Sequence, residues 1–185
     1  MKQDAYLADA LLQLSKLKSL ADRAIAQLPP DALATPLDAE SNSVALVMKH
    51  VSGNMRSRWT DFLTTDGEKP DRARDSEFVL EAGDTPERLH RRWEDGWALT
   101  RAALSALKPG DLAATVTIRG EPHTVLQAVQ RQLLHYSYHV GQIVLLARHF
   151  AGPAWRSLSI PKGRSADLEV GRDGRTYVPG DAAAG

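Results

Sequence analysis

Apolar residues recur at helical spacing in four stretches of the chain. Leu7, Leu11, Leu14, Leu17, Ala21, Ala24 and Leu28 mark the first, with Lys16, Lys18, Asp22 and Arg23 between them. They predict an amphipathic helix over 4–28, stopped by Pro29 and Pro30. Ser41-Asn42-Ser43 offers N-caps for a second helix over 43–63, whose apolar stripe is Val44, Met48, Val51, Met55 and Phe62. Thr85 followed by Pro86 opens a third over 86–107, which buries Leu89, Trp93, Trp97 and Leu104 and stops before Pro109-Gly110. The fourth and longest runs over 124–150 to Gly152-Pro153. On a wheel of about 100° per residue its Val125, Val129, Leu133, Val140, Ile143 and Ala147 share one broad arc.

Before the fourth helix, Thr115-Val116-Thr117-Ile118 alternates with β-branched residues and Arg119-Gly120-Glu121-Pro122 is turn-like, which predicts a short hairpin. The stretch 64–83 is charged, aperiodic and punctuated by Asp66-Gly67 and Lys69-Pro70. Connections of that length are usually functional or mobile, and this one is placed to cover a site entrance. After 154 no period is sustained; Trp155, Leu158 and Ile160 are expected to pin the start of the tail, and its end to fray. The fold class expected is therefore all-α: an up-down-up-down four-helix bundle over 1–168, with a hairpin before the fourth helix and a poorly structured tail over 169–185.

Composition narrows the partners. With 23 basic and 23 acidic residues the net charge is zero, and no basic run exists to neutralise phosphates. Nucleic acid and anionic membrane are thus not expected partners. No signal-peptide pattern opens the chain and no apolar run approaches the ~20 residues of a membrane span, so a cytoplasmic location is expected. Cysteine is absent, which excludes disulfides, a thiolate nucleophile and sulfur ligation; any metal must take nitrogen or oxygen ligands.

The candidate chemistry lies in histidines. His135 and His139 stand one turn apart on the edge of the fourth helix's apolar arc, with Cβ atoms about 5–6 Å apart, so both imidazoles can turn toward one ion. His50 flanks the stripe of the second helix, where a side chain can point between two neighbouring helices. Three imidazoles with an open position mark a catalytic metal site. The alternative is that both histidines, with Tyr136 and Tyr138, are interfacial aromatics and His50 is a surface residue. His90, His123 and His149 are weaker candidates, lying respectively on a solvated face, in a turn and in a last helical turn.

Asn54, Gln132 and Gln142 stand one turn from a histidine and are candidates to fix imidazole tautomers, or simply line the bundle interior. No carboxylate stands out as a general base. Arg56, Arg58, Arg72 and Arg74 can bind carboxylates. They alternate with Asp61, Asp71, Asp75 and Glu77, however, and a surface or interface salt-bridge network is expected of them.

The strings Lys49-His50-Val51-Ser52-Gly53-Asn54-Met55, Arg58-Trp59-Thr60-Asp61-Phe62-Leu63-Thr64-Thr65-Asp66-Gly67-Glu68-Lys69-Pro70, Arg72-Ala73-Arg74-Asp75-Ser76-Glu77-Phe78 and Leu158-Ser159-Ile160-Pro161-Lys162-Gly163 carry a resemblance. Together with a histidine in the second helix and His-x-x-x-His in the fourth, they resemble an uncharacterised branch of the DinB/YfiT-like superfamily of metalloenzymes, over residues 4–168. The resemblance implies His50, His135 and His139 as metal ligands. It also implies a homodimer, and chemistry such as thiol transfer or isomerisation with a low-molecular-weight thiol, bacillithiol, mycothiol or glutathione, as cosubstrate.

A three-imidazole site would take a divalent ion, zinc or nickel, and strongly acidify a bound water or thiol. Three functions are therefore expected: a thiol transferase acting on a small-molecule substrate, a metal-dependent hydrolase, or a non-catalytic dimeric bundle that binds metal or a small molecule. The tryptophans at 59, 93, 97 and 155 suit either dimer contacts or the core.

Overall fold

Four helices form where the apolar periodicity places them: α1 (Gln3–Ile25), α2 (Val44–Trp59), α3 (Pro86–Ser105) and α4 (Val125–Ala151). They are seen in a computed structural model that describes residues 3–167, 169–170 and 176–177. The starts of three are chemically marked. The hydroxyls of Ser43, Thr85 and Thr124 accept from the backbone N–H groups of Leu46, Arg88 and Gln127. Gln127 returns the bond to the Thr124 backbone, a reciprocal cap.

Strands β1 (Thr115–Ile118) and β2 (Glu121–Thr124) form the expected hairpin, with Thr115 opposite Thr124 and Ile118 opposite Glu121. Arg119 and Gly120 both take positive φ, 57° and 75°, the conformation a two-residue turn needs to match strand twist.

α3 ends at Ser105, two residues before its expected end, and α1 and α2 stop further short. After Ile25 the chain tightens, Gln27 and Leu28 donating to the carbonyls of Ala24 and Ile25, before Pro29. α2 ends at Trp59 rather than at 63, because Thr60 is extended and Asp61 has a φ of 46°. Phe62 is buried all the same, its ring 5.1 Å from that of Trp59. The apolar stripe thus continues through a turn.

α2 packs on α3 and α4, and α1 packs on α4 and α3. His50 faces His135 and His139 while Arg58 lies near Gln132, so α2 and α4 run antiparallel. Lys49 pairs with Asp84 just before α3 begins, and Ser52 and Met55 meet Gly96 within it, so α2 and α3 run parallel. Tyr6 reaches Leu126 and Arg23 reaches Leu158, which makes α1 and α4 parallel. The directions are up, down, down, up. The alternation expected from the sequence fails between α2 and α3, because residues 60–85 travel back along the bundle instead of closing a tight hairpin. α2, at 16 residues, is about 24 Å long, a span that connection covers with one 3-10 turn, Arg74–Phe78, on the way.

The core is built on Trp93, Tyr136, Met48, Met55, Leu89 and Leu104, all fully buried. Burying each such apolar side chain stabilises the fold by roughly 1.5–3 kcal/mol. Trp59, Trp93 and Trp97 belong to this core, and Trp155 packs half-buried against it. At Gly96 a Cβ would lie 3.1 Å from the Met55 sulfur, so glycine there sets how closely α2 and α3 approach.

Among the described residues no helix is long and apolar enough to cross a membrane. The expected unstructured tail over 169–185 falls mostly outside the described residues; within them, Glu169–Val170 pairs antiparallel with Thr176–Tyr177.

The crossover is tied to the hairpin by Asp66, whose carboxylate accepts from the backbone N–H groups of Glu68, Arg119 and Gly120. Burial by itself would raise its pKa, but these bonds outweigh that and bring it down to about 2. A carboxyl whose folded pKa lies below its unfolded value of ~3.9 stabilises the fold fully above that value and loses its contribution as pH falls through the folded pKa. The stability gap between wild type and Asp66→Ala, from urea unfolding, should therefore be largest at pH 5 and narrow steadily toward pH ~2. A gap that does not change with pH would show that Asp66 does not anchor the crossover.

Candidate functional site

The antiparallel packing of α2 on α4 brings His50 against His135 and His139. Their Nε2 atoms converge: His135 Nε2 is 3.4 Å from that of His50 and 3.2 Å from that of His139. One ligand atom from each of the three lies within 4.8 Å of the others, so the cluster can hold a metal ion. His50 and His139 are buried, at 4% and 8% exposure, and His135 is half-buried.

Two of the three rings are held from behind. His50 Nδ1 lies 2.8 Å from Glu77 Oε2, and an ionised carboxylate only accepts, so Nδ1 carries a proton and the neutral ring keeps its lone pair on Nε2. Burial would raise the Glu77 pKa, but the bonds from His50 and Arg72 prevail and lower it. Arg72 grips the same carboxylate with two bonds, Nε to Oε1 and Nη2 to Oε2, each 2.8 Å. His139 Nδ1 lies 2.7 Å from Gln142 Oε1, while Gln142 Nε2 donates to the Tyr138 hydroxyl. The amide oxygen again selects the Nδ1–H tautomer, the arrangement that orients metal-binding imidazoles.

Burial, followed by the positive potential of His139, His50, Arg58 and Arg72, pushes the His135 pKa down to about 3. His139 is also lowered, by burial first, against the bond to Gln142 that favours its charged form. Both rings are thus biased toward their neutral forms, His135 the more strongly. When all three rings are neutral, with His50 and His139 as Nδ1–H, only His135 has a proton to share, and at least one Nε2 lone pair faces another without a hydrogen between. A cation resolves that conflict. The spacing suits one: two nitrogens each ~2.0–2.1 Å from a tetrahedral ion stand about 3.3–3.4 Å apart.

Of the residues singled out in the sequence, His50, His135 and His139 come together, while His90, His123 and His149 stay outside the cluster. Gln142 holds His139 in the orientation expected. Asn54 instead accepts from the Tyr136 hydroxyl at 3.4 Å, and that oxygen accepts from Trp59 Nε1 at 2.9 Å. Gln132 is buried with no donor for its Oε1, and His135 Nδ1 is buried with no partner.

Glu77 is the residue that sequence reasoning missed, together with the burial of its neighbours. Arg58 and Arg72 were expected in a surface network, yet their side chains are 6% and 4% exposed. Of those four arginines, Arg56 with Asp71 and Arg74 with Asp75 are the ones that pair at the surface. The crossover folds inward at its 3-10 turn, where the Phe78 ring stacks 4.8 Å from His50. The one signal in the sequence was the length of that connection. Beside His50 and His135 lies a cavity of ≈ 240 Å³ that reaches Arg119 and Arg131.

A family model described as "Protein of unknown function (DUF1572)" matches residues 2–164, so the chain belongs to that family. No curated protein matches the sequence.

Gly53 gives Glu77 its room: a Cβ there would lie 2.3 Å from Glu77 Oε1. Gly53→Ala should cost about 1–3 kcal/mol by overpacking, partly offset by a helix-propensity gain of roughly 0.5–1 kcal/mol. The sharper readout is the His50 Nδ1–H proton resonance, expected downfield and slowly exchanging in wild type and shifted or lost in the variant. An unchanged resonance would mean that Glu77 does not hold His50.

His135 gives a second test. Its depressed folded pKa means that the unfolded chain binds the proton first, so stability of the metal-free protein falls as pH drops from ~6.5 toward 3. His135→Leu should flatten that slope in urea titrations; a slope equal to wild type would rule out a desolvated His135.

Proposed function

For a member of a family without an assigned activity, we propose that the chain is a metal-dependent enzyme in which His50, His135 and His139 hold one divalent ion, zinc or nickel. The supporting observation is the convergence of three Nε2 atoms, two of them on rings whose Nδ1 is held by Glu77 and Gln142. When bound there, the ion supplies a Lewis acid that lowers the pKa of a thiol or water beside it. The chain's residues do the rest. Glu77, kept ionised by Arg72, makes His50 a more basic ligand and fixes its ring. Gln142 does the same for His139. The cavity beside His50 and His135 gives a substrate access to the open side of the cluster, which favours catalysis over a closed storage site.

The reaction proposed is transfer of a low-molecular-weight thiol to a small electrophile, in keeping with the resemblance to DinB/YfiT-like proteins. The chain has no cysteine, so the sulfur comes from a cosubstrate; its thiol gives up a proton to solvent, and the thiolate forms the new bond to carbon as the electrophile's bond to its leaving group breaks and that group departs with the electron pair. A homodimer belongs to the same proposal; the exposed Leu134, Tyr138 and Leu145 of α4 form the apolar face it would bury.

Elemental analysis of protein purified without an affinity tag should find near-stoichiometric zinc or nickel. His50→Ala and His139→Ala should lose it while circular dichroism shows intact helices. Glu77→Gln should keep the site but weaken its affinity by about 10–100-fold. Wild-type protein that neither carries a metal nor takes one up on addition would end the metalloenzyme proposal.

A further inference from the structure

The cavity beside the histidines has a wall of one sign. Arg58, Arg72, Arg74, Arg119 and Arg131 all line it, and no carboxylate does. Their acidic partners stand behind them: Glu68 pairs with Arg58, Arg72 and Arg119, Glu77 with Arg72, and Asp75 loosely with Arg74 at 3.7 Å. Arg131 has no ion-pair partner among the described residues. Five guanidinium groups against three carboxylates leave a local surplus of two positive charges, in a chain whose net charge is zero.

Like charges gathered around a partly enclosed space repel one another more strongly than they would in water, and an anion placed among them relieves that repulsion. At ≈ 240 Å³ the space is many times the ~10–15 Å³ that a single water needs, enough for a small organic anion.

We propose that this cavity binds a small dianion, a dicarboxylate or a phosphate monoester, through the exposed Arg131 and Arg119, with the buried Arg58 and Arg72 adding positive potential. Guanidinium forks match the planar or tetrahedral oxygens of either group with paired hydrogen bonds. The dianion is thereby held next to the three imidazoles. As the identity of a substrate this rests on the metalloenzyme proposal; as a binding site it stands independently.

Isothermal titration calorimetry at 0.15 M NaCl separates the two. Succinate and inorganic phosphate are titrated into chelator-treated and zinc-supplemented protein, with neutral succinamide as control. One of the anions should bind saturably at one per chain to both forms, and the tighter one identifies the headgroup. Arg131→Gln and Arg119→Gln, both exposed positions, should each weaken it at least tenfold with the thermal melt unchanged.

Anion binding in a protein that takes up no zinc would retire the metal proposal and leave this one intact. Zinc uptake with no saturable anion binding would do the reverse. Equal binding of succinamide, or undiminished binding in both variants, would also overturn the dianion site.

Discussion

The bidentate pair between Arg72 and Glu77 is the interaction on which the rest of the site depends. Both side chains are buried, at 4% and 8% exposure, and neither charge tolerates that alone; removing one partner of such a pair costs about 3–5 kcal/mol. Together they carry a loop into the bundle. Glu77 then spends its second interaction on His50, so one carboxylate joins the crossover, α2 and, through the imidazole, α4. The orientation of the histidine cluster follows from a contact made outside it.

The crossover exists because α2 and α3 run in the same direction. A tight turn would have made them antiparallel and kept the connection at one end of the bundle. Residues 60–85 instead return along α2, fixed at one end by Asp66 on the hairpin and at the other by the buried pair of Lys49 with Asp84. Along that path they deliver Glu68, Arg72, Arg74, Glu77 and Phe78 to the side of α2 that carries His50. Amphipathic helices provide the rigid scaffold for the imidazoles together with Arg58 and Arg131, and the irregular segments provide the rest of the surrounding charge.

Charge segregation is the second consequence. Basic residues distributed over α2, the crossover, the hairpin and α4 converge on one cavity, while their acidic partners remain at its back. The same potential helps keep His135 neutral. A positive wall and a set of neutral imidazoles are mutually consistent: the first attracts an anion, and the second leaves lone pairs for a cation.

Local chemistry determined what the sequence alone could state. Helical periodicity, Ser and Thr caps and a two-residue turn depend on neighbours within a few positions, so the four helices, the hairpin and the shared face of His135 and His139 were legible. So was the pairing of Gln142 with His139, three residues apart on one helix, and the position of His50 at the flank of its stripe. Only the tertiary structure decided the parallel course of α2 and α3, the burial of Arg58 and Arg72, the bond between Glu77 and His50, and the diversion of Asn54 to Tyr136. Each of these joins residues whose separation in space is set by the path of an aperiodic connection. A charged stretch such as 64–83 reads the same whether it faces water or turns inward, because its burial is fixed by the partners it meets and not by its own pattern.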